Sequence, residues 1–396
     1  MSTSRTARGW VPAAATLSAA GWGANQFTPL AVVYRTQAHW SAVGVAAMFS
    51  TYLLGLIPGL LLGGPVSDRY GRRIVRSALV LSAVASGVLA LADVSQIAVY
   101  LSRLGTGLAT GVVLSAGTAW VRELSAESGR PVAGTHRASY AAGGGFAAGA
   151  LTAGAFAQWL PEPMLLPCLP QVIVALAILV ATRGVPETAR SAAALVHRPP
   201  ARGQRWTTAR HARFVRVVLP ATPAVFAAAT VAYVVLPPLV EDRVAGYAPL
   251  FSGLVTALTL IVGMAVRPVA AWLDHSGSAR ATIAAMATVI IGLLIGATAA
   301  YRNSAALVLA AVIFLGAGYG LTLAAGLKEI ERLAPPRTMH STVSVYHGAT
   351  YTGFLTPLLL TVTAGFASYP ALLAGLAAVG LLCLAFTARH SRFRLS

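Results

Sequence analysis

The stretch GGPVSDRYGRR, residues 63–73, lies between two long apolar runs and places one acid and three arginines in six positions, Asp68 to Arg73. If the preceding run is a helix, Asp68 stands at its C-terminal end and meets the negative pole of that helix's dipole. It therefore needs arginines, or the positive N-terminus of another helix, close by. Gly71 tolerates positive φ and lets the chain turn sharply. Gly64, four residues before Asp68, shares its helix face and admits a closely packed neighbour. A loop that is basic only to set topology accounts for Arg69, Arg72 and Arg73. It does not account for Gly64, Asp68 and Gly71.

The flanking runs set the class of the protein. The chain is 57% hydrophobic and 10% charged over 396 residues, with a mean hydropathy of +0.72. A soluble domain carries about 25% charged residues. Runs of about 20 apolar residues, the length that crosses a bilayer core as a helix, recur along the whole chain. They predict twelve spans, at 11–33, 41–66, 74–92, 96–121, 139–160, 164–182, 214–239, 249–272, 281–300, 304–326, 340–363 and 369–388. The runs are continuous, not alternating, so helices are expected and a β-barrel is not. The expected fold is all-α and integral to the membrane.

The net charge of +18 invites a nucleic-acid reading, which its distribution argues against. With both termini on one side, 24 of the 29 basic residues fall in the loops of that side, Arg69, Arg72, Arg73, Arg122 and Arg130 among them. The other side holds Arg35, Arg243 and Arg302, while Arg103 and Arg267 lie inside spans. This asymmetry places both termini in the cytoplasm of a bacterial-type inner membrane. The arginines lack the interleaved aromatics that stack bases, so the expected partners are the bilayer and a small molecule, with no nucleic acid and a monomeric state. The two cysteines, Cys168 and Cys383, sit inside apolar runs and suggest no disulfide framework. The N-terminal apolar run continues past the length of a signal sequence and is expected to be retained as the first span.

The long basic segment 183–213 separates six spans from six, giving bundles at 1–182 and 214–396. Weak repetition connects them. Ala24, Pro29 and Arg35 recur 208 residues later as Ala232, Pro237 and Arg243, and Asp68 and Gly71 recur at an offset of 206 as Asp274 and Gly277. LGTG at 104–107 recurs as LGAG at 315–318. A duplicated six-helix unit is a common construction of secondary transporters, which hold substrate near the midplane between repeats.

Gly64-x-x-x-Asp68-Arg69-x-Gly71-Arg72-Arg73, between spans 2 and 3, resembles the loop 2–3 signature of the major facilitator superfamily, with every position filled. The resemblance covers essentially the whole chain. It implies two pseudo-symmetric six-helix bundles, alternating access and no enzymatic activity. It also implies a conformational latch, in which the aspartate contacts the start of helix 11 around Thr338–Thr342 and the arginines reach an acid at the end of helix 4, by position Glu123. The second copy has His275, Ser278 and Ala279 in place of arginines.

Further elements look like those of proton-coupled exporters. Arg103, with Gly107 and Gly111, is similar to the family's helix 4 motif, where the arginine is implicated in proton coupling; snorkelling to the outer interface is the alternative. GFAAGALTAG, residues 145–154, is similar to the helix 5 motif of drug antiporters, but Ala150 replaces its proline and Ala153 a glycine, so the same spacing also fits plain helix packing. Pro186-Glu-Thr188 is shared by sugar-porter and exporter branches and discriminates little. Polar residues on the spans expected to face the centre supply cavity candidates: Asn25, Gln26, Tyr140, Tyr233, Arg267, Tyr319, Tyr346 and Tyr351. Pro29 frees a backbone carbonyl beside the first two and predicts a bend.

None of the eleven carboxylates lies at the middle of a span. Candidates for proton coupling are therefore Arg103, Glu329, Glu331 and His347, whose unperturbed pKa is near 6.5, with Glu241 and Asp242 at the outer end of span 7. Lack of a central acid argues against a strongly cationic substrate. The expected function is proton-coupled efflux of a small drug-like or metabolite molecule, with no cofactor beyond the proton gradient and no metal. An importer or uniporter of a small neutral or anionic nutrient is the alternative, and a non-transporting membrane sensor a more distant one. No Gly-x-Ser-x-Gly elbow, His-Glu-x-x-His pair or Walker A loop occurs.

Overall fold

A computed structural model describes residues 9–188, 211–244, 246–274, 278–335 and 339–391. The described residues are helical throughout their long elements, and eight helices are long and apolar enough to cross a membrane. The other predicted spans are present as shorter, less apolar or interrupted helices. The chain divides into two compact units, Met1–Val196 with Pro249–Ala257, and His197–Ala248 with Leu258–Ser396. The first stretch of predicted span 8 thus groups with unit 1. Most of the 183–213 linker lies outside the described residues.

In unit 1 the helices are α1 (Trp10–Asn25), α2 (Phe27–Thr36), α3 (Ala42–Tyr70), α4 (Arg73–Leu89), α5 (Gln96–Val112), α6 (Thr118–Glu127), α7 (Pro131–Trp159) and α8 (Leu169–Ala181). Pro29 has no N–H to give the Asn25 carbonyl, and the first span breaks between α1 and α2 at Gln26. A π turn at Val113–Gly117 joins α5 to α6. That helix therefore runs past the predicted end at 121 and carries Glu123 on its last turns. Serine hydroxyls cap two starts: Ser41 accepts from Gly44 N at 3.1 Å and Ser95 from Ala98 N at 3.3 Å. Glycines make the α3–α5 crossing close, because a Cβ on Gly55, Gly59, Gly107 or Gly111 would strike the facing backbone. Leu17, Val75, Val113, Trp120 and Leu124 form the apolar core at the arginine-rich end.

Unit 2 begins with a composite rod, Phe214–Arg243, whose regular part is α9 (Thr222–Thr230). There follow α10 (Ala248–Ala265), α11 (Arg267–Leu273), α12 (Arg280–Arg302), α13 (Ala305–Leu333), α14 (Met339–Tyr351), α15 (Thr356–Thr363) and α16 (Tyr369–His390). Pro268 withholds a donor from Met264, and the rod bends at Val266, between α10 and α11. α13 extends seven residues beyond the predicted end at 326, so Lys328, Glu329, Glu331 and Arg332 are helical. Predicted span 11 is interrupted by a 3-10 turn at Thr352–Leu355, just ahead of Pro357.

Candidate functional site

At the arginine-rich end of unit 1, α3 stops at Tyr70 and Gly71 takes φ +85. That turn delivers Arg72 inward, where it is 2% exposed. Its guanidinium grips Glu123 of α6 in a two-point contact, one arm Nε to Oε2 at 3.1 Å, the other Nη2 to Oε1. Nη1 donates to Ser67 Oγ at 2.6 Å. Bidentate arginine–carboxylate contacts are directional as well as strong. Arg73 points out to the surface, and Arg69 lies over the Tyr70 ring at 5.4 Å. Of the two expected arginines, Arg72 alone reaches Glu123. Successive residues of a helix point about 100° apart, so Arg73, which opens α4, does not share the inward direction of Arg72.

Two further groups complete this cluster, and both come from the Pro186-Glu-Thr188 segment that sequence reading treats as uninformative. Glu187 Oε1 accepts from the Arg72 backbone N–H at 2.5 Å, and Thr188 Oγ1 donates to Glu123. Trp120 Nε1 donates to the Pro186 carbonyl at 3.2 Å. A Cβ on Gly71 would sit 3.1 Å from the Glu187 carboxylate, a tight contact added to the strain of its positive φ. Gly64 faces Ser115 on the π turn, and Gly63 lies closer still to Val112. Asp68 sits at the rim, 58% exposed, with its nearest cation, Arg72 Nη1, at 3.6 Å. Of the region Thr338–Thr342 expected to meet Asp68, Thr338 and the side chains through Ser341 lie outside the described residues, and Thr342 is buried.

Unit 2 holds a related cluster. The offset of 206 that relates Asp68 to Asp274 also relates Glu123 to Glu329. Glu329 is 3% exposed and takes a two-point contact from Arg213, Nε to Oε2 at 2.8 Å and Nη2 to Oε1 at 2.9 Å. These hydrogen bonds hold the Arg213 pKa above its ordinary value despite burial. Asp274 accepts from Arg332 at 2.5 Å and Lys328 at 3.4 Å, both on α13. Gly277 and His275 lie outside the described residues. Glu329, expected as a proton carrier, is committed to an ion pair, and Glu331 is exposed on the opposite face of the helix.

Arg103 does not snorkel. It is 2% exposed, its guanidinium lies 4.5 Å from the Phe27 ring and 4.7 Å from Tyr52, and Nη1 donates to the Ala24 carbonyl at 3.1 Å. The broken turn at Gln26 and the surrounding rings give the cation local partners, which removes the drive to reach the interface. Asn25 is buried at that break. Gln26 turns into the helix packing, donating to Ser86 Oγ at 2.6 Å. The helix 5 glycines serve close approach: a Cβ on Gly145 or Gly149 would strike the α1 backbone, and Gly154 faces Gly253 within unit 1.

In unit 2, Tyr319, His347 and Tyr351 assemble around a ring that sequence reading misses, Phe226 of α9. Phe226 and Tyr351 are stacked, 5.0 Å between centroids and 11° between planes. Phe354 is 4.6 Å and Tyr319 5.7 Å from Phe226, and His347 stacks on Tyr351 at 6.1 Å. His347 Nδ1 is buried and has no hydrogen-bond partner among the described residues. Tyr319 rests on Gly263 of α10 and lies within electrostatic reach of Arg267 at the α10–α11 bend. Tyr346 meets His347 edge-on at 5.6 Å, with its ring against Gly326 and its hydroxyl donating to the Thr322 and Leu323 carbonyls at 3.3 Å. Tyr233 is buried in a π turn, and Tyr140 is exposed beside His136.

A family model described as Major Facilitator Superfamily matches residues 13–357. The fold is also that of solved transporters. A POT family transporter in complex with a thioalcohol-conjugated peptide superposes with a TM-score of 0.78 at 12% identity, over 96% of this chain and 95% of that one. The nucleoside transporter NupG gives 0.71 at 12%, over 97% and 99%. The inward-open xylose transporter XylE from E. coli gives 0.70 at 14%, over 96% and 94%. At such identities these likenesses speak for the fold alone, and no curated protein matches the chain in sequence. The match over most of the chain, the filled loop 2–3 signature and the transporter fold agree: the chain belongs to the Major Facilitator Superfamily.

Proposed function

We propose that this membrane transporter is a secondary active exporter, moving a small drug-like or metabolite molecule out of the cytoplasm in exchange for protons by alternating access. The observation that carries the reading is the Arg72–Glu123 cluster. It ties the end of α3, the end of α6 and the 186–188 segment into one rigid corner and leaves Asp68 at its rim. In this reading Asp68 engages a second surface in one conformational state and releases it in the other, which is how a latch works. The proton carrier is His347. Its Nδ1 is buried with no hydrogen-bond partner among the described residues, it lies among the rings of α9 and α14, and an imidazole changes charge near neutral pH. The ion pair with Arg213 argues against Glu329 in that role.

The test uses purified protein in liposomes, loaded with candidate compounds, with and without an imposed pH gradient. Proton-driven efflux that stops when the gradient is collapsed, and that is lost in Asp68→Asn without loss of folded protein, is the expected result. Full activity in Asp68→Asn refutes the latch. A second reading, an importer or uniporter of a neutral or anionic nutrient, draws support from the lack of any carboxylate at the middle of a span. It predicts transport that survives collapse of the gradient and is unchanged in His347→Gln.

A further inference from the structure

We infer that the ring cluster around Phe226 binds a flat aromatic anion, its rings stacking on Phe226 and Tyr319 and its charge meeting Arg267. This deepens the transport reading by naming the substrate class and rests on it. Three observations converge within unit 2. First, Phe226, Tyr351 and Phe354 already form a stack whose planes differ by 11° to 35°, and Phe226 and Tyr319 remain half-exposed, so another flat ring extends an existing array. Offset and tilted ring pairs at these spacings are attractive beyond the area they bury. Second, Arg267 is half-buried at a bend in an apolar rod and has no carboxylate partner among the described residues. The nearest acid along that rod, Asp274, is taken by Arg332 and Lys328. A cation held in a membrane segment without a counter-ion is costly, and a ligand anion relieves that cost. Third, no acid accompanies the rings among the described residues, so an organic cation attracted to their faces would meet Arg267 with like charge.

Flatness and charge are separable, and four probes separate them. These are 2-naphthoate, 2-naphthalenemethanol, 2-naphthylmethylammonium and 1-adamantanecarboxylate, titrated calorimetrically into the full-length protein in detergent. Naphthoate is expected to bind most tightly. Arg267→Gln should weaken naphthoate about tenfold or more while sparing naphthalenemethanol, since it removes one charge-assisted contact. Phe226→Leu keeps apolar volume and should weaken both naphthyl ligands about three- to tenfold, leaving adamantanecarboxylate unchanged. Each variant is first shown to be monodisperse, and Tyr319→Leu serves in place of Phe226→Leu if the latter does not fold. No saturable naphthoate binding, equal binding of the ammonium probe, or indifference to both substitutions overturns the inference. Naphthoate binding without any transport in liposomes removes the transport reading and leaves this one. Gradient-driven transport of another solute without naphthoate binding does the reverse.

Discussion

Glu123 and Glu329 occupy equivalent places at the ends of α6 and α13, 206 residues apart, yet their arginines come from different elements. In unit 1 the arginine arrives on the sharp turn after α3. In unit 2 the equivalent of Arg72 is Ser278, and the guanidinium is supplied instead by Arg213, at the start of the rod that contains α9. The loop acid also changes role. Asp68 is largely exposed beside Arg72, while Asp274 is gripped by two cations on α13. The repeat thus preserves the acid on the helix and the need to neutralise it, but not the donor. A buried carboxylate demands a cation from some direction, and any neighbouring element that can present one satisfies it.

The largest effect is expected where the pair is most buried. Arg213→Met strands Glu329 and should cost about 3 kcal/mol, towards the lower end of the range for breaking a buried pair because Arg332 remains nearby at 3.4 Å. Thermal unfolding in detergent measures it. Adding Glu329→Leu should restore most of the loss. Adding Ser278→Arg instead recreates the unit 1 arrangement, and recovery there would show the two donors to be interchangeable; no recovery would separate them. Arg72→Ala comes next at about 2–3 kcal/mol, since Glu123 is partly solvated and keeps the Thr188 hydroxyl. Gly71→Ala should cost about 1–2 kcal/mol through its positive φ and the crowding by Glu187, and Glu187→Ala should relieve part of that strain, read as a non-additive double mutant. Arg73→Ala, on the surface next door, should leave the melting temperature unchanged. A drop as large as that of Arg72→Ala would overturn the assignment of the inward arginine.

The two units also differ in how readable they were. Gly64, Asp68, Gly71 and Arg72 could be picked out because the signature is local, a helix end, a turn and a spacing, while Glu123 followed only from the family resemblance. Glu187 and Thr188 could not, because they reach Arg72 and Glu123 from far along the chain and their own tripeptide is common. Arg213 was hidden in a run of arginines whose members look alike until one is buried. Its signal was nonetheless present, as an equivalent acid at Glu329 with no arginine at position 278. Phe226 escaped notice because a phenylalanine in an apolar span carries no contrast with its surroundings. Gln26 is a divided case: its Nε2 donates to Ser86 inside the bundle, while its Oε1 is buried with no hydrogen-bond partner among the described residues.

Hydropathy and the loop 2–3 spacing were enough to determine a multi-span helical chain and its superfamily. These depend on the bilayer's thickness, on backbone hydrogen bonding in lipid and on one tight turn, all of which act over a few tens of residues. Which arginine turns inward, which acid is already committed and which rings gather on Phe226 were decided by tertiary structure alone. Those outcomes depend on helix rotation and on where each rod breaks, as at Gln26 and Val266, and contacts between segments far apart in the chain set both.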